Sequence, residues 1–426
     1  MPQSVAAAIA AILPTLAEGR FARLPFALQF WDGSVLPASR EAGADLGTVQ
    51  VGRRAIGQIL HQPNQLGLSR AFISGQLQFD GQIRDVLARR SDFDGVALTP
   101  RELATAAALA VRLAGIDALR PSLVPEAEMR AHGRRHSLVR DRRVVRHHYD
   151  VSNAFYRQLL GPTMVYSCAY FADPGESLDT AQERKVERIC RKLRLAEGDR
   201  FLDIGCGWGS LAIHAARHHG VRAVGITLSE PQAQLARERA AQAGVADRVE
   251  IRVADYRETD DGPYDKIASI GMVEHVGAAQ MDAYAATIAR LLRPGGLALN
   301  HGITRLFSAH PAGPKSLIQR YVFPDGEILP LEQMLEALRE AGLEARDVES
   351  MREHYALTLW RWVDNLTADR QAAIAQVGIE RLRVWELYMV GSALAFEDGD
   401  IGIYQTLLAK PGADPGLGLV RDDLAG

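Results

Sequence analysis

Cysteine is scarce: among 426 residues only Cys168, Cys190 and Cys206 occur. An odd count with no closely spaced pair argues against a disulfide framework and against a zinc site, so no metal ligands are read from the sequence. A reducing cytoplasm is the expected compartment. Long apolar runs are missing as well. No window reaches the about eighteen uninterrupted apolar residues that a spanning helix needs, so any membrane contact is expected to be peripheral. The opening MPQSVAAAIAAILPTLAEGR is apolar, but no basic leader precedes the run and Pro14 interrupts it. It reads as an amphipathic helix over residues 4–17 rather than a cleaved signal. Nor does one sign of charge dominate: 49 Lys and Arg face 52 Asp and Glu, a net charge of −3. Nothing in that balance asks for nucleic acid.

What remains is a chain that is 47% apolar and long enough for two or three domains, each burying its own core. From about residue 25 to 85, short alternating runs (FALQFW, GTVQVG, GQLQFDG) lie between Gly, Pro and Asp. Helical spacing follows in PRELATAAALAVRLAGIDAL, residues 100–119. An α+β N-terminal domain over residues 1–122 is the economical reading. Residues 123–147 form an arginine-rich linker, with Arg130, Arg134, Arg135, Arg140, Arg142, Arg143 and Arg146 in a stretch poor in large apolar residues. This segment is either a solvated linker or a phosphate-binding arm. After residue 177 the pattern changes. RFLDIG, RAVGITL, VEIRVADY, YDKIASIG and GGLALNHGI are strand candidates, with LAIHAARHH, EPQAQLARERAAQAG and MDAYAATIARLLRPG as helices between them. Such alternation predicts an α/β domain over residues 148–426, with a doubly wound, mostly parallel sheet.

The stretch FLDIGCGWG, residues 201–209, carries the first chemical signal. Asp203 ends a strand, and Gly205, Gly207 and Gly209 turn the chain into the next helix. Without side chains the backbone can approach a ligand, and ligands of open α/β sheets sit beyond the carboxyl ends of the strands. A dinucleotide fingerprint wants Gly where Ser210 stands; Gly-x-Gly-x-Gly after an aspartate suits a Rossmann-like methyltransferase loop better.

With LDIGCGWG, GITLSEPQ, ADYR and IGMVEHVG in this order, the sequence resembles the cyclopropane-fatty-acyl-phospholipid synthases and the related mycolic acid cyclopropane synthases. The resemblance runs from HYDVSNAFY at His148 through YSCAYF, RYVFPDGEILP and HYALTLWRW to DIGIYQTLLAK. The N-terminal third resembles, more loosely, the extra domain of the phospholipid-acting members. The resemblance implies S-adenosylmethionine as methyl donor. It places Tyr166 and Ser167 near the methionine end and Asp203, Gly205, Cys206, Gly207 and Gly209 around the carboxylate and ribose. Thr227, Leu228 and Gln232 follow the second strand, and Asp255 and Tyr256 lie beside the adenine. It further implies a bound bicarbonate as base, held by Cys168, Glu274, His301, the Ile303 amide and Tyr355. The set is chemically sensible, because thiol, imidazole, phenol and amide donate hydrogen bonds and the carboxylate accepts one.

A carbon–carbon double bond is a weak nucleophile, so it needs a strong electrophile, and the resulting cation needs protection from water. Tyr170, Tyr321, Trp360 and Trp362 are candidates for an aromatic lining around that charge. The expected reaction is methylene transfer to a cis double bond of an unsaturated phospholipid acyl chain. Methyl transfer giving a branched chain, a catalytically inactive lipid-binding protein and a small-molecule methyltransferase are the alternatives. A homodimer, and contact of the arginine-rich segment with an anionic inner membrane face, are further expectations.

Overall fold

The computed structural model describes residues 3–39, 46–90, 98–120, 123–129, 137, 140–141, 143–144, 151–306 and 316–420. They form two compact units. In the smaller one, β1 (Ala27–Phe30), β2 (Val35–Leu36), β3 (Thr48–Val51) and β4 (Leu77–Asp80) make a four-stranded sheet in the order β2-β1-β3-β4. The alternating runs seen in the sequence are its long strands. Helix Pro100–Ala114 begins at a capping box in which Thr99 and Glu102 satisfy each other's backbone amides. Helix Val5–Ile12 is shorter than the stretch 4–17, because a 3₁₀ turn containing Pro14 replaces its last part. Its Val5 and Ala6 are buried with Phe30, Val51 and Ala71, so this apolar face packs in the core of its own unit.

The smaller unit is not confined to the N-terminal third. A segment ending at Val322 and the stretch Gly378–Gly391 pack with residues up to Met129. Tyr321 donates its hydroxyl to Glu128 at 2.9 Å, and the Arg383 guanidinium lies 5.9 Å from the Phe72 ring centre. A linear division at residue 122 therefore does not describe the packing.

The larger unit is built on β5 (Arg200–Ile204), β6 (Arg222–Thr227), β7 (Val249–Val253), β8 (Tyr264–Ile270), β9 (Leu292–Arg305), β10 (Glu344–Ser350) and β11 (Ile401–Ala409). The order is β10-β11-β9-β8-β5-β6-β7. Strands β5 to β9 pair in parallel, while β11 is antiparallel to both β9 and β10. Central strands are buried on both faces, which explains why Leu297 to Leu299 reads as a continuous apolar run and why Phe201 to Ile204 is apolar except at Asp203, which faces the cavity. On one face helices Leu178–Lys192, Ser210–His219 and Glu230–Gln242 contribute Ile189, Ala212 and Ala233 to a core. On the other, Met281–Leu291 and Leu331–Glu340 contribute Tyr284, Ile288 and Leu338. The doubly wound sheet expected from the alternation is present.

Of the arginine-rich stretch, Arg130, Arg134, Arg135, Arg142 and Arg146 lie outside the described residues. Arg143 is exposed, whereas Arg140 is not a free cation: its Nε and Nη2 bind both carboxylate oxygens of Asp325 at 2.6 and 2.7 Å. Among the described residues no helix is long and apolar enough to cross a membrane.

Edge strand β10 is held by charge rather than by apolar burial. Lys192 is fully buried, and its ammonium meets Glu349 at 2.5 Å, while Arg188 reaches the other oxygen at 2.7 Å. Burial acts to raise the Glu349 carboxyl, but its hydrogen bonds from Arg188 and Lys192 outweigh that and hold it below its ordinary value. Glu349→Ala leaves the Lys192 ammonium buried without its closest partner, so we expect a loss of about 3 kcal/mol in urea unfolding, with a smaller loss for Glu349→Gln. Because the folded value is depressed, the stabilisation is present above the unfolded carboxylate's pKa and disappears as pH falls through the folded one. The gap between parent and Glu349→Ala must therefore close in acid; a gap that persists there removes the ion pair as its cause.

Candidate functional site

Strand β5 lies between β6 and β8, so the chain leaving β5 turns toward one neighbour and later returns to the other. A cavity opens at this divergence, lined by the ends of β5, β6, β7 and β8. The glycine turn is built by conformation. Gly205, Gly207 and Gly209 have φ of 79°, 53° and 78°, a region that side chains disfavour. The amides of Gly205 and Cys206 both donate to the Ile226 carbonyl at 2.9 Å, which ties the turn to β6 rather than to a ligand. A Cβ on Gly205 would stand 2.5 Å from Cγ of Met272, whereas a Cβ on Gly207 would meet nothing within 4 Å.

The cavity is lined by Tyr166, Ser167, Asp203, Gly205, Cys206, Gly207, Thr227, Leu228, Gln232, Asp255 and Tyr256, all expected from the sequence. Gly209 is the exception. Its added Cβ would press on Cβ of Ala236 at 3.0 Å and Cδ1 of Ile213 at 3.3 Å, so it is a packing glycine that lets two helices approach. Several side chains already have partners. Thr227 donates to Oε1 of Gln232 at 2.8 Å, and Asp255 accepts from Nε and Nη2 of Arg257 at 2.8 and 2.6 Å. Tyr256 packs edge-on against Tyr284, and burial raises its phenol to about 12.

The sequence reading missed Lys185. Its buried ammonium donates to Oγ of Ser167 at 2.9 Å, and burial lowers it to about 8 against the opposing attraction of Cys168 and Asp203. Burial also raises Asp203 to about 7, with Lys185 pulling the other way. Lys185 sits in the charged string ERKVERICRK, where only its place on the buried face of helix Leu178–Lys192 distinguishes it. His275 was missed too: it lines the cavity, packs against Phe323 and is pushed down to about 4 by burial.

Beside this cavity the expected base-site residues fall into two linked groups. Glu274 lies on the short helix Val273–Val276, and its Oε1 accepts the Ile303 amide at 2.7 Å. Gly302 permits this approach, since a Cβ there would stand 2.2 Å from Val273. The Ile303 amide is thus bound to Glu274 itself and is not aimed at an anion, as the resemblance implied. His301, on β9 opposite Ile270, accepts from Nε2 of Gln405 at 3.1 Å through Nδ1, which leaves the imidazole proton on Nε2. Oε2 of Glu274 and Nε2 of His301 are both buried without a hydrogen-bond partner. Burial pushes the Glu274 carboxyl up to about 7 and, with Lys185 and Lys192, holds His301 neutral. In the second group, the Cys168 thiol donates to the carbonyl of Ala169 at 3.2 Å and points to that of Met351 at 3.7 Å. The Tyr355 amide donates to the same Met351 carbonyl, and the Met351 amide donates to Ile403, which is paired with Ile303 across the sheet.

Of the expected aromatic lining, Tyr170 stacks on His354, Tyr321 binds Glu128, and Trp360 donates to Glu397 at 2.6 Å. Only Trp362 approaches the cavity, through the Tyr166 ring at 5.2 Å.

The strand order, the glycine turn and this cavity together define a methyltransferase that uses S-adenosylmethionine. The residues fit that co-substrate: Gly207 presents bare backbone to open space, and Lys185, Asp203, Ser167 and Tyr256 offer charge, hydrogen bonds and an aromatic face to its amino acid and nucleoside parts. A family profile described as mycolic acid cyclopropane synthetase matches residues 136–406, and the chain belongs to this family. It is 40% identical over 401 residues to a probable fatty acid methyltransferase of Pseudomonas putida, covering 92% of this chain and 93% of that protein. It is 36% identical over 279 residues to the cyclopropane-fatty-acyl-phospholipid synthase of Escherichia coli K12, covering 65% of this chain and 70% of that one. Among solved structures, mycolic acid cyclopropane synthase CmaA1 complexed with SAH and CTAB superposes with a TM-score of 0.60 at 33% identity, covering 63% of this chain and 98% of that one.

Gly207→Val forces a β-branched residue into a left-handed conformation and projects it into the cavity. Gly244 has a similar φ of 71° and equally open surroundings, away from the cavity lining. Gly207→Val should weaken S-adenosylmethionine binding by calorimetry at least about 10-fold, while Gly244→Val shares the backbone strain and binds normally. Equal affinities in the two variants remove the glycine turn from the cofactor site.

Proposed function

We propose that the protein transfers the methyl carbon of S-adenosylmethionine to the double bond of an unsaturated phospholipid acyl chain and closes a cyclopropane ring. The observation that carries this reading is the pair of buried, partnerless polar atoms beside the cavity, Oε2 of Glu274 and Nε2 of His301. The names of the relatives supply the acceptor class, and the apolar residues Met164, Val165, Leu211 and Met272 along the cavity suit a hydrocarbon chain. When bound, S-adenosylmethionine supplies an electrophilic methyl carbon. The alkene π pair bonds to that carbon as its bond to sulfur breaks, and the other alkene carbon becomes cationic. Loss of one proton from the new methyl then lets its C–H pair close the ring.

That proton needs an acceptor in a site closed to water. Glu274 and His301 would hold a bicarbonate ion as that acceptor: His301 would donate from Nε2 to an anionic oxygen, and the Glu274 carboxylate would accept the bicarbonate hydroxyl. Cys168 and Tyr355 stand next along the same hydrogen-bonded strip. A second reading is methyl branching, in which the proton leaves a neighbouring chain carbon instead; the name of the Pseudomonas putida relative, matched over nearly the whole chain, favours it. Access to the acceptor at a membrane surface is part of the proposal, with Val111, Ile116 and Leu119 exposed on the smaller unit as apolar contacts.

Incubation with unsaturated phospholipid vesicles and methyl-labelled S-adenosylmethionine, followed by mass spectrometry and NMR of the acyl chains, tests both readings. Ring methylene signals at high field support the first, and a branch methyl beside a retained double bond the second. An unlabelled lipid fraction overturns both. Because the Glu274 carboxyl stands at about 7, turnover should rise with pH through that value as the carboxylate forms. Glu274→Gln should abolish this rise and cut turnover by roughly 100-fold while leaving S-adenosylmethionine affinity unchanged. A matching loss of affinity places Glu274 in the cofactor shell instead.

A further inference from the structure

Helix Leu178–Lys192 turns Lys185, Val186 and Ile189 to the cavity, and helix Ser210–His219 contributes Ser210 and Leu211. The same two helices meet at residues outside the cavity lining. There, one ligand atom from each of Cys190, His214 and His219 lies within 4.8 Å of the others. Nε2 of His214 and Nε2 of His219 converge on a single oxygen, Oε2 of Glu187, at 2.9 and 3.1 Å. Pairing with Glu187 accounts for the two imidazoles, and the helix C-terminus adds to it for His219. Apolar packing with Ile189, Leu193 and Ala215 seats the Cys190 thiol, and it is this seat that brings sulfur to both imidazoles.

We propose that Cys190, His214 and His219 form a binding site for one borderline-soft divalent cation of the zinc type, with Glu187 orienting the two imidazoles as an outer carboxylate. Sulfur with two imidazoles is a ligand set that favours such ions over hard cations. Bonds of about 2.0–2.3 Å in a tetrahedron require ligand atoms roughly 3.3–3.8 Å apart, which modest side-chain rotations reach from the present spacing. On binding, the Cys190 thiol releases its proton to solvent and coordinates as thiolate. The His214 and His219 side chains are 22% and 17% exposed, which gives an ion a way in. The cation ties the helix carrying Lys185 to the helix that follows the glycine turn, so its role is to hold the cavity wall and not to act on substrate.

The test uses tag-free, full-length protein stripped with a chelator and titrated with zinc chloride against a chromophoric competitor, then with cobalt(II) alone. We expect one equivalent of zinc, and a Tm raised by roughly 5 °C at about a hundredfold excess over Kd. Cobalt(II) should give a sulfur-to-metal charge-transfer band with the strong visible bands of a tetrahedral site. Glu187→Gln should lower zinc affinity about 10–100-fold, and His219→Gln by more. Cys190→Ala should abolish the charge-transfer band; if that core variant fails to fold, Cys190→Ser, close to the parent in size, should lose the same band. No stoichiometric binding, cobalt spectra without the sulfur band, or zinc affinity unchanged in the partly exposed variants overturns the proposal.

Discussion

Strand β5 is hydrogen-bonded in parallel to β6 on one side and β8 on the other. A chain leaving its carboxyl end can proceed toward only one neighbour, so the two crossovers part there and leave a crevice that neither fills. The turn out of β5 must reverse sharply to start helix Ser210–His219, and it does so through left-handed glycines pinned to β6 by the Ile226 carbonyl. The cofactor cavity is the space this geometry leaves. Lys185 and Ser167 close one wall and Tyr256 another, so residues distant in sequence acquire a common function because they border one topological switch point.

The same burial that shapes the cavity sets its protonation. Lys185, Asp203 and His301 are buried and Glu274 and His275 half-buried, and each shifts toward its neutral form. A carboxyl near 7 and a neutral imidazole are poor stabilisers of the fold but useful for moving or holding one proton near neutrality. Contrast Glu349, also partly buried, whose direct contacts with Lys192 and Arg188 lower it and make it a structural anion. Whether a buried carboxyl is poised or fixed depends here on direct hydrogen bonds from a cation, which Glu349 has and Asp203, with Lys185 acting only at a distance, does not. Glu274 is contacted by backbone amides, the Ile303 amide at 2.7 Å the foremost, and by no cation.

Much of the larger unit was legible because its signals are local. Central strands such as Leu297 to Leu299 must be apolar on both faces, and glycine turns must admit positive φ, so the sequence has little freedom at these places. Strand β10 was not read, since EARDVES lies at a sheet edge, mostly in contact with water, and is held by ion pairs that no periodicity announces. Gly209 was read as a ligand contact because its spacing matches Gly205 and Gly207, yet contact with Ala236 fixes its identity. Long-range packing was the least visible. The assignment of Gly378–Gly391 to the smaller unit, the seat of Lys185 and the approach of Cys190 to two histidines all depend on which faces of helices meet.

In the proposed reaction, ring closure and branching share the donor, the alkene and the cation, and differ only in which C–H bond breaks. The proton acceptor's position therefore selects the product. A base near the transferred methyl takes its proton and the ring closes; a base near the next chain carbon yields an alkene with a branch. Glu274 is held at one oxygen by the Ile303 amide, which Gly302 brings close, and His301 is oriented by Gln405 on β11. One polar end is thus held by a main-chain amide of β9 and the other by a buried side chain of its neighbour β11. On this reading product choice is a property of the sheet's register at residues 300–305, and changes to the acyl channel alone should alter which chains bind without altering what is made from them.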